Sequence, residues 1–259
     1  MRGLAPLIPG AWELIDSTAA RQTEVPLLID DLVDANHILF HQNVLDGFGH
    51  VSARCPERPD RFWLSRNMAP ALVQAADILE FDSDGAVVRP DGRSVYLERF
   101  IHSEIYRARP DVAAIVHAHS ASVIPFGVVR GVRLGAVYHM CGFLGAGAPV
   151  FEIRDFAGDA SDLLIRDRSL GAALATSLQD APVVLMRGHG VTVVGSTLRQ
   201  TVFRAVYTEV GARLQAEATR LGPVTFLTPA EAAATALTND TQINRAWDLW
   251  RASSGAATP

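Results

Sequence analysis

Cysteine is nearly missing from this 259-residue chain, which holds only Cys55 and Cys141. Two isolated cysteines make no disulfide framework and fit a reducing compartment, so a cytoplasmic location is expected. Long hydrophobic runs are missing too. No stretch approaches the ~20 uncharged apolar residues that span a bilayer. The start, Met1 to Gly10, is broken by Pro6, Pro9 and Gly10 before the apolar core of a signal peptide can develop. Positive charge is in deficit: 23 Lys and Arg against 28 Asp and Glu leave a formal net charge of -5. Neither nucleic acid nor an anionic membrane is therefore an expected partner, and an acidic substrate would need a local cation, either a metal or a placed arginine. Repeats, low-complexity blocks and a dividing linker are also lacking, which points to one domain over 1–259.

What is present reads as interleaved helices and strands. Helical spacing runs through 26–44 on Leu28, Leu32, Ala35, Ile38 and Leu39, up to the turn Asp46-Gly47. Strands are expected at 51–54 and 62–65, a short helix at 68–77 and a strand at 86–88. Residues 98–109 form a helix with Phe100, Ile101, Ile105 and Ala108 on one face, ended by Pro110. A buried strand follows at 112–119, then a helix at 120–128 with Ser120 as its N-cap. Further on come a helix at 168–179, strands at 183–186 and 191–194, and a long helix at 197–221 stopped by Gly222-Pro223. A terminal helix covers 229–251, and the tail from Ser253 is expected to be loose. Several strands are consecutive, which favours a mixed sheet covered by helices over a strictly parallel one.

The chemistry gathers at the end of the buried strand. Val112-Ala113-Ala114-Ile115-Val116 closes with His117-Ala118-His119, and residues two apart on a strand share a face. Two imidazoles leaving one strand end make half a metal site. Gly188-His189-Gly190, between two apolar strand segments, offers a third nitrogen on a backbone that glycine allows to turn sharply. Three protein ligands with an open position describe a catalytic metal centre. Glu98 opens the helix that feeds the histidine strand, as a helix-start carboxylate, a fourth ligand or an acid/base beside the metal. His102, at i+4, is placed either to hydrogen-bond Glu98 or to stand at the surface. His50 precedes strand 51–54, and Arg66 is the candidate clamp for a substrate carboxylate. His37 and His41 have no third partner and read as an ordinary helix face. Tyr207, Glu209 and Arg213 on the long helix read as solvent or interface residues.

Glu98, the Arg109-Pro110-Asp111 turn, His117-Ala118-His119 and Gly188-His189-Gly190 together resemble the class II aldolase/adducin family over about 26–222. The resemblance implies a three-layer α/β/α fold with a central mixed, largely antiparallel sheet. It also implies a divalent metal held by His117, His119 and His189, with Glu98 as acid/base, and a homotetramer with sites at subunit interfaces. Zinc, manganese, iron and cobalt all suit such ligands. The sugar-phosphate members carry small polar residues before the catalytic glutamate and a Gly-Asn pair in an early loop. Here Tyr96-Leu97 and Gly49-His50 stand instead. The aldolases also supply a tyrosine acid from a neighbouring subunit, and His139 lies near that position here. The segments Asp46 to Ser52, Ser65 to Pro70, Tyr96 to His102 and Leu185 to Gly190 resemble a decarboxylase-like branch acting on hydroxylated aromatic dicarboxylates.

That resemblance implies a carbon–carbon lyase that decarboxylates a hydroxylated benzene or pyridine carboxylic acid in catabolism. Glu98 and His50 would handle the proton, and Arg66, His139 and Tyr96 would contact substrate. An aldolase or epimerase for an unphosphorylated substrate, a non-enzymatic adducin-like scaffold and an iron-dependent oxygenase remain as alternatives. The retained His117, His119, His189 and Glu98 weigh against the scaffold.

Overall fold

Alternation along seven short strands sorts the apolar residues onto two faces of one sheet. The computed structural model describes residues 27–255; the chain start and the end of the tail read above lie outside them. The strands are β1 (His50–Arg54), β2 (Arg61–Ser65), β3 (Ile78–Asp82), β4 (Ala114–Ala118), β5 (Val150–Phe151), β6 (Val183–Met186) and β7 (Gly190–Gly195). They lie in the order β3-β2-β1-β4-β7-β6-β5. Every neighbouring pair is antiparallel except β5 with β6. The sheet is thus mixed and largely antiparallel.

Val51, Ala53, Val116, Val191 and Val193 point into one core, shared with helix α1 (27–41). Ile115, Phe62, Leu64, Val184 and Val194 point into the other. That second core is closed by α2 (Arg99–Ala108). Short helices α3 (Ile124–Val128) and α4 (Arg154–Ala157) follow in the chain, and α5 (Arg168–Leu178) lies beside α2. The first core is completed by α6 (Leu198–Leu221) and α8 (Ile243–Ser253), with α7 (Pro229–Asp240) between them in sequence. Three layers result because each sheet face is apolar and must be covered. Caps fix the helix starts: Asp167 accepts from Leu170 N–H, Thr197 from Gln200 N–H, and Thr228 forms a capping box with Glu231. No helix among the described residues is long and apolar enough to cross a membrane.

Several elements differ from the sequence expectation. The helix expected at 68–77 is two 3-10 turns, Pro70–Leu72 and Ala75–Asp77. The strand expected at 86–88 is a single bridge, Val87 to Phe81, whereas 78–82 is a full strand. Leu79 and Phe81 of β3 face inward while Glu80 turns out to Arg58 and Arg61, so a period of two was legible there. The expected helix at 120–128 begins only at Ile124, because the Ser120 hydroxyl is taken by Glu209. The terminal helix breaks at Thr241-Gln242, where Asn239 donates to the His139 carbonyl and Asp240 accepts from Gln200.

Gly171 sets the contact between α5 and α2. A Cβ built there would lie 2.5 Å from the Phe100 carbonyl oxygen. Alanine gains up to ~1 kcal/mol of helix propensity, but backbone cannot yield as a side chain can. Gly171→Ala is therefore expected to destabilise the protein by a net ~1–3 kcal/mol in denaturant unfolding.

Candidate active site

β4 carries His117 and His119 toward α2, opposite the face on which Val116 and Ala118 meet the other core. Its neighbour β1 pairs His50 directly with His117, and β7 pairs Thr192 with His117. The third histidine arrives through the β6–β7 turn. Gly188 adopts φ +67°, and a Cβ on Gly190 would lie 2.2 Å from the Ala118 carbonyl oxygen. Only glycine lets the start of β7 approach the end of β4 this closely. His189 Nε2 consequently lies 3.0 Å from His119 Nε2.

Glu98 occupies the N-cap position of α2 but makes no side-chain cap. Its Oε2 instead lies 3.5 Å from His117 Nε2 and 3.4 Å from His189 Nε2, while Oε1 accepts from Ile165 N–H at 3.0 Å. A helix-start role therefore does not account for it. One ligand atom from each of Glu98, His117, His119 and His189 fits within 4.8 Å of all the others. His117 is fully buried and, among the described residues, both its ring nitrogens lack a hydrogen-bond partner. Buried nitrogens are rarely left this way unless a ligand completes them. His189 Nδ1 lies 2.9 Å from the Leu163 carbonyl, which can only accept, so Nδ1 carries the proton and the Nε2 lone pair faces the cluster. The donor set fits a divalent cation.

At His117 and His119 electrostatics agree with that fit. Burial, then His117 and His189, push His119 down to about 4. Burial is also the main cause of the lowered pKa of His117, so both stay neutral, the form that binds metals. Burial opposes ionisation of Glu98, but the His117 and His189 imidazoles outweigh it and hold the carboxyl far below the usual range. For His189, burial is outweighed in the same way by Glu98, and its pKa rises.

Beside the cluster lies a cavity of about 570 Å³. Glu98, His119, His50 and Asn67 supply its polar lining, and Phe48, Met68, Leu97 and Leu164 supply apolar wall. Tyr96 also lines it, but its hydroxyl donates to the Met68 carbonyl at 2.7 Å and meets Ser65 Oγ at 3.1 Å. Tyr96 therefore offers its ring more than its oxygen. No Lys or Arg is among the described lining residues.

Glu98, His50, His117, His119, His189 and Tyr96 are thus brought together. Within one chain, Arg66 and His139 are not. Arg66 donates through Nε to Asp77 Oδ1 at 2.7 Å and does not line the cavity, because Asp77 holds its guanidinium. His139 is exposed at the start of the 3-10 segment His139–Leu144, which packs on α7, and it too is absent from the cavity wall. His102 turns away from Glu98 and bonds His50 instead. Glu209, expected at an interface or in solvent, is buried and accepts from Ser120 and Ser122 just after His119. Sequence reasoning missed the loop through Leu163, which supports both His189 and Glu98 with backbone groups. Main-chain contacts leave no residue-type signal.

Residues 30–216 match the Class II Aldolase and Adducin N-terminal domain. The decarboxylase tropJ of Talaromyces stipitatus is 41% identical, covering 83% of this chain and 89% of that protein. The 3,4-dihydroxyphthalate decarboxylase of Arthrobacter keyseri is 31% identical, covering 73% and 77%. Among solved structures, L-fuculose 1-phosphate aldolase from Glaciozyma antarctica shares the fold with a TM-score of 0.74, covering 97% of this chain and 95% of that one at 24% identity.

Titration with zinc or manganese, followed by calorimetry, is expected to give one ion per chain. Removing an imidazole in His119→Ala should weaken binding by more than ~100-fold, beyond the usual loss of an outer partner. Arg66→Ala should leave it unchanged.

Proposed function

The chain belongs to the class II aldolase and adducin family, and from that premise we propose that it is a divalent-metal-dependent lyase decarboxylating a hydroxylated aromatic carboxylic or dicarboxylic acid. The observation that carries this reading is the cavity, which opens beside the Glu98–histidine cluster and has a mostly apolar wall. Phe48, Met68, Leu97 and Leu164 suit the faces of a planar ring. Among the described lining residues a phosphate would find no lysine, arginine or free tyrosine hydroxyl. The named activities of the two decarboxylase relatives point the same way.

His117, His119 and His189 would hold the cation. When bound, it supplies a Lewis acid for the ortho hydroxyl and carboxylate oxygens and for the charge that develops as carbon dioxide departs. The ring–carboxyl bond breaks, its electron pair stays on the ring carbon, and that carbon takes one proton. Glu98 carries the proton: the substrate hydroxyl, its own pKa lowered by the cation's charge, would give its proton to Glu98, which returns it to the ring carbon. Ile165 N–H fixes the carboxylate for this exchange. His50, on the cavity wall, donates a hydrogen bond to the substrate, and the Tyr96 ring packs against it. On the same reading the chain works as a homotetramer in the cytoplasm, in a route that degrades aromatic acids.

The test is carbon dioxide release from a panel of hydroxybenzoates, hydroxyphthalates and hydroxypyridine carboxylates, with and without chelator. Chelation should abolish release, and an aldehyde product in its place would favour an aldolase. Glu98→Gln should retain metal and lose at least ~100-fold in turnover. A metal-free Glu98→Gln protein would make Glu98 a ligand and overturn its assigned role.

A further inference from the structure

Behind His50 runs a row of buried polar side chains that the reaction scheme leaves unused. His50 Nδ1 lies 2.6 Å from His102 Nε2, and His102 Nδ1 lies 2.6 Å from Ser52 Oγ. Ser52 Oγ in turn lies 2.8 Å from Tyr106 Oη. All four residues are buried. Their spacing explains the row: His50 and Ser52 are two apart on β1, while His102 and Tyr106 are one turn apart on the helix above it.

The proton order follows from the far end. Among the described residues, Ser52 Oγ is the only hydrogen-bond partner of Tyr106 Oη. A buried O–H without an acceptor is costly, so Tyr106 donates to Ser52. Burial raises the phenol's pKa, which keeps that proton in place. The single Ser52 proton then goes to His102 Nδ1. Burial, followed by His117, pushes His102 down to about 3, so the ring is neutral and its one proton lies on Nε2, donated to His50 Nδ1. His50 is left with its proton on Nε2. That atom has no partner among the described residues and is not sealed from the cavity that His50 lines.

We propose that Tyr106, Ser52 and His102 are positioning residues that lock His50 in its Nε2–H tautomer, making it the hydrogen-bond donor to the substrate's carboxylate and barring it from the metal centre. An N–H cannot coordinate a cation. This accounts for a fourth imidazole that pairs across the sheet with His117, ring centroids 5.1 Å apart, yet stands outside the ligand cluster. It also supplies a donor where Arg66, engaged by Asp77, does not reach. The carboxylate role rests on the decarboxylase reading; the tautomer lock does not.

The test is nitrogen-15 NMR of the zinc-loaded protein, with the His50 signals identified by their loss in His50→Gln. Nε2 protonated and Nδ1 unprotonated is the expected result, and the reverse in the wild-type protein overturns the lock. This arm needs no destabilised variant. Ligand binding is then compared for 2,3-dihydroxybenzoate and catechol, which differ by the carboxylate. Ser52→Ala should mix the His50 tautomers and weaken 2,3-dihydroxybenzoate by ~10-fold or more, the scale of one hydrogen bond to a charged group. Catechol affinity should not change, and Ser52→Thr should restore both the spectrum and the discrimination. Equal weakening of both ligands overturns the carboxylate role. If no panel acid is decarboxylated while the tautomer and the discrimination persist, the reaction reading fails and the lock stands.

Discussion

The antiparallel ladder of β1, β4 and β7 is the constraint from which the site is assembled. Antiparallel pairing sets residues directly opposite one another, so His50, His117 and Thr192 fall into one row across three strands. Alternation then sends the histidines to the face under α2, and the bare Cα of Gly190 lets β7 begin against the end of β4. A register slip of one residue in β4 would turn both histidines into the opposite core. Hydrophobic burial on two faces therefore fixes which way the β4 imidazoles point.

The helix over this row follows the same logic with a different period. Glu98, His102 and Tyr106 stand at i, i+4 and i+8 and form one stripe on the side that meets the sheet. The first residue meets the histidine cluster, the second meets His50 and the third meets Ser52. His50, Ser52 and the histidine cluster each thereby face a polar group on the helix. That pairing is what allows charged and hydrogen-bonding residues to lie in an otherwise apolar layer.

Much of this was legible in the sequence. The apolar run ending in His117-Ala118-His119, the Gly188-His189-Gly190 turn and Glu98 before a helix each carry a pattern whose period states which side chains share a face. Less legible were features whose signal is not periodic. Arg66 looked free because Asp77 is distant in sequence and meets it only through a 3-10 turn. Glu209 looked exposed on a long helix whose faces differ little in polarity, yet Ser120 and Ser122 draw it inward. His102 has the spacing to reach Glu98, but the helix is turned so that it faces β1.

The loop through Leu163 holds His189 with a carbonyl and Glu98 with an N–H, and Leu163 itself adopts φ +71°. Both supports are main-chain groups, present whatever side chains the loop carries. Leu164, between them, forms part of the cavity wall. Orientation of the reactive groups and the shape of the binding surface are thus carried by separate parts of one short segment. Substitution at Leu164 can reshape what the cavity admits while the geometry beside it stays fixed, which gives this fold a way to change substrate without rebuilding its chemistry.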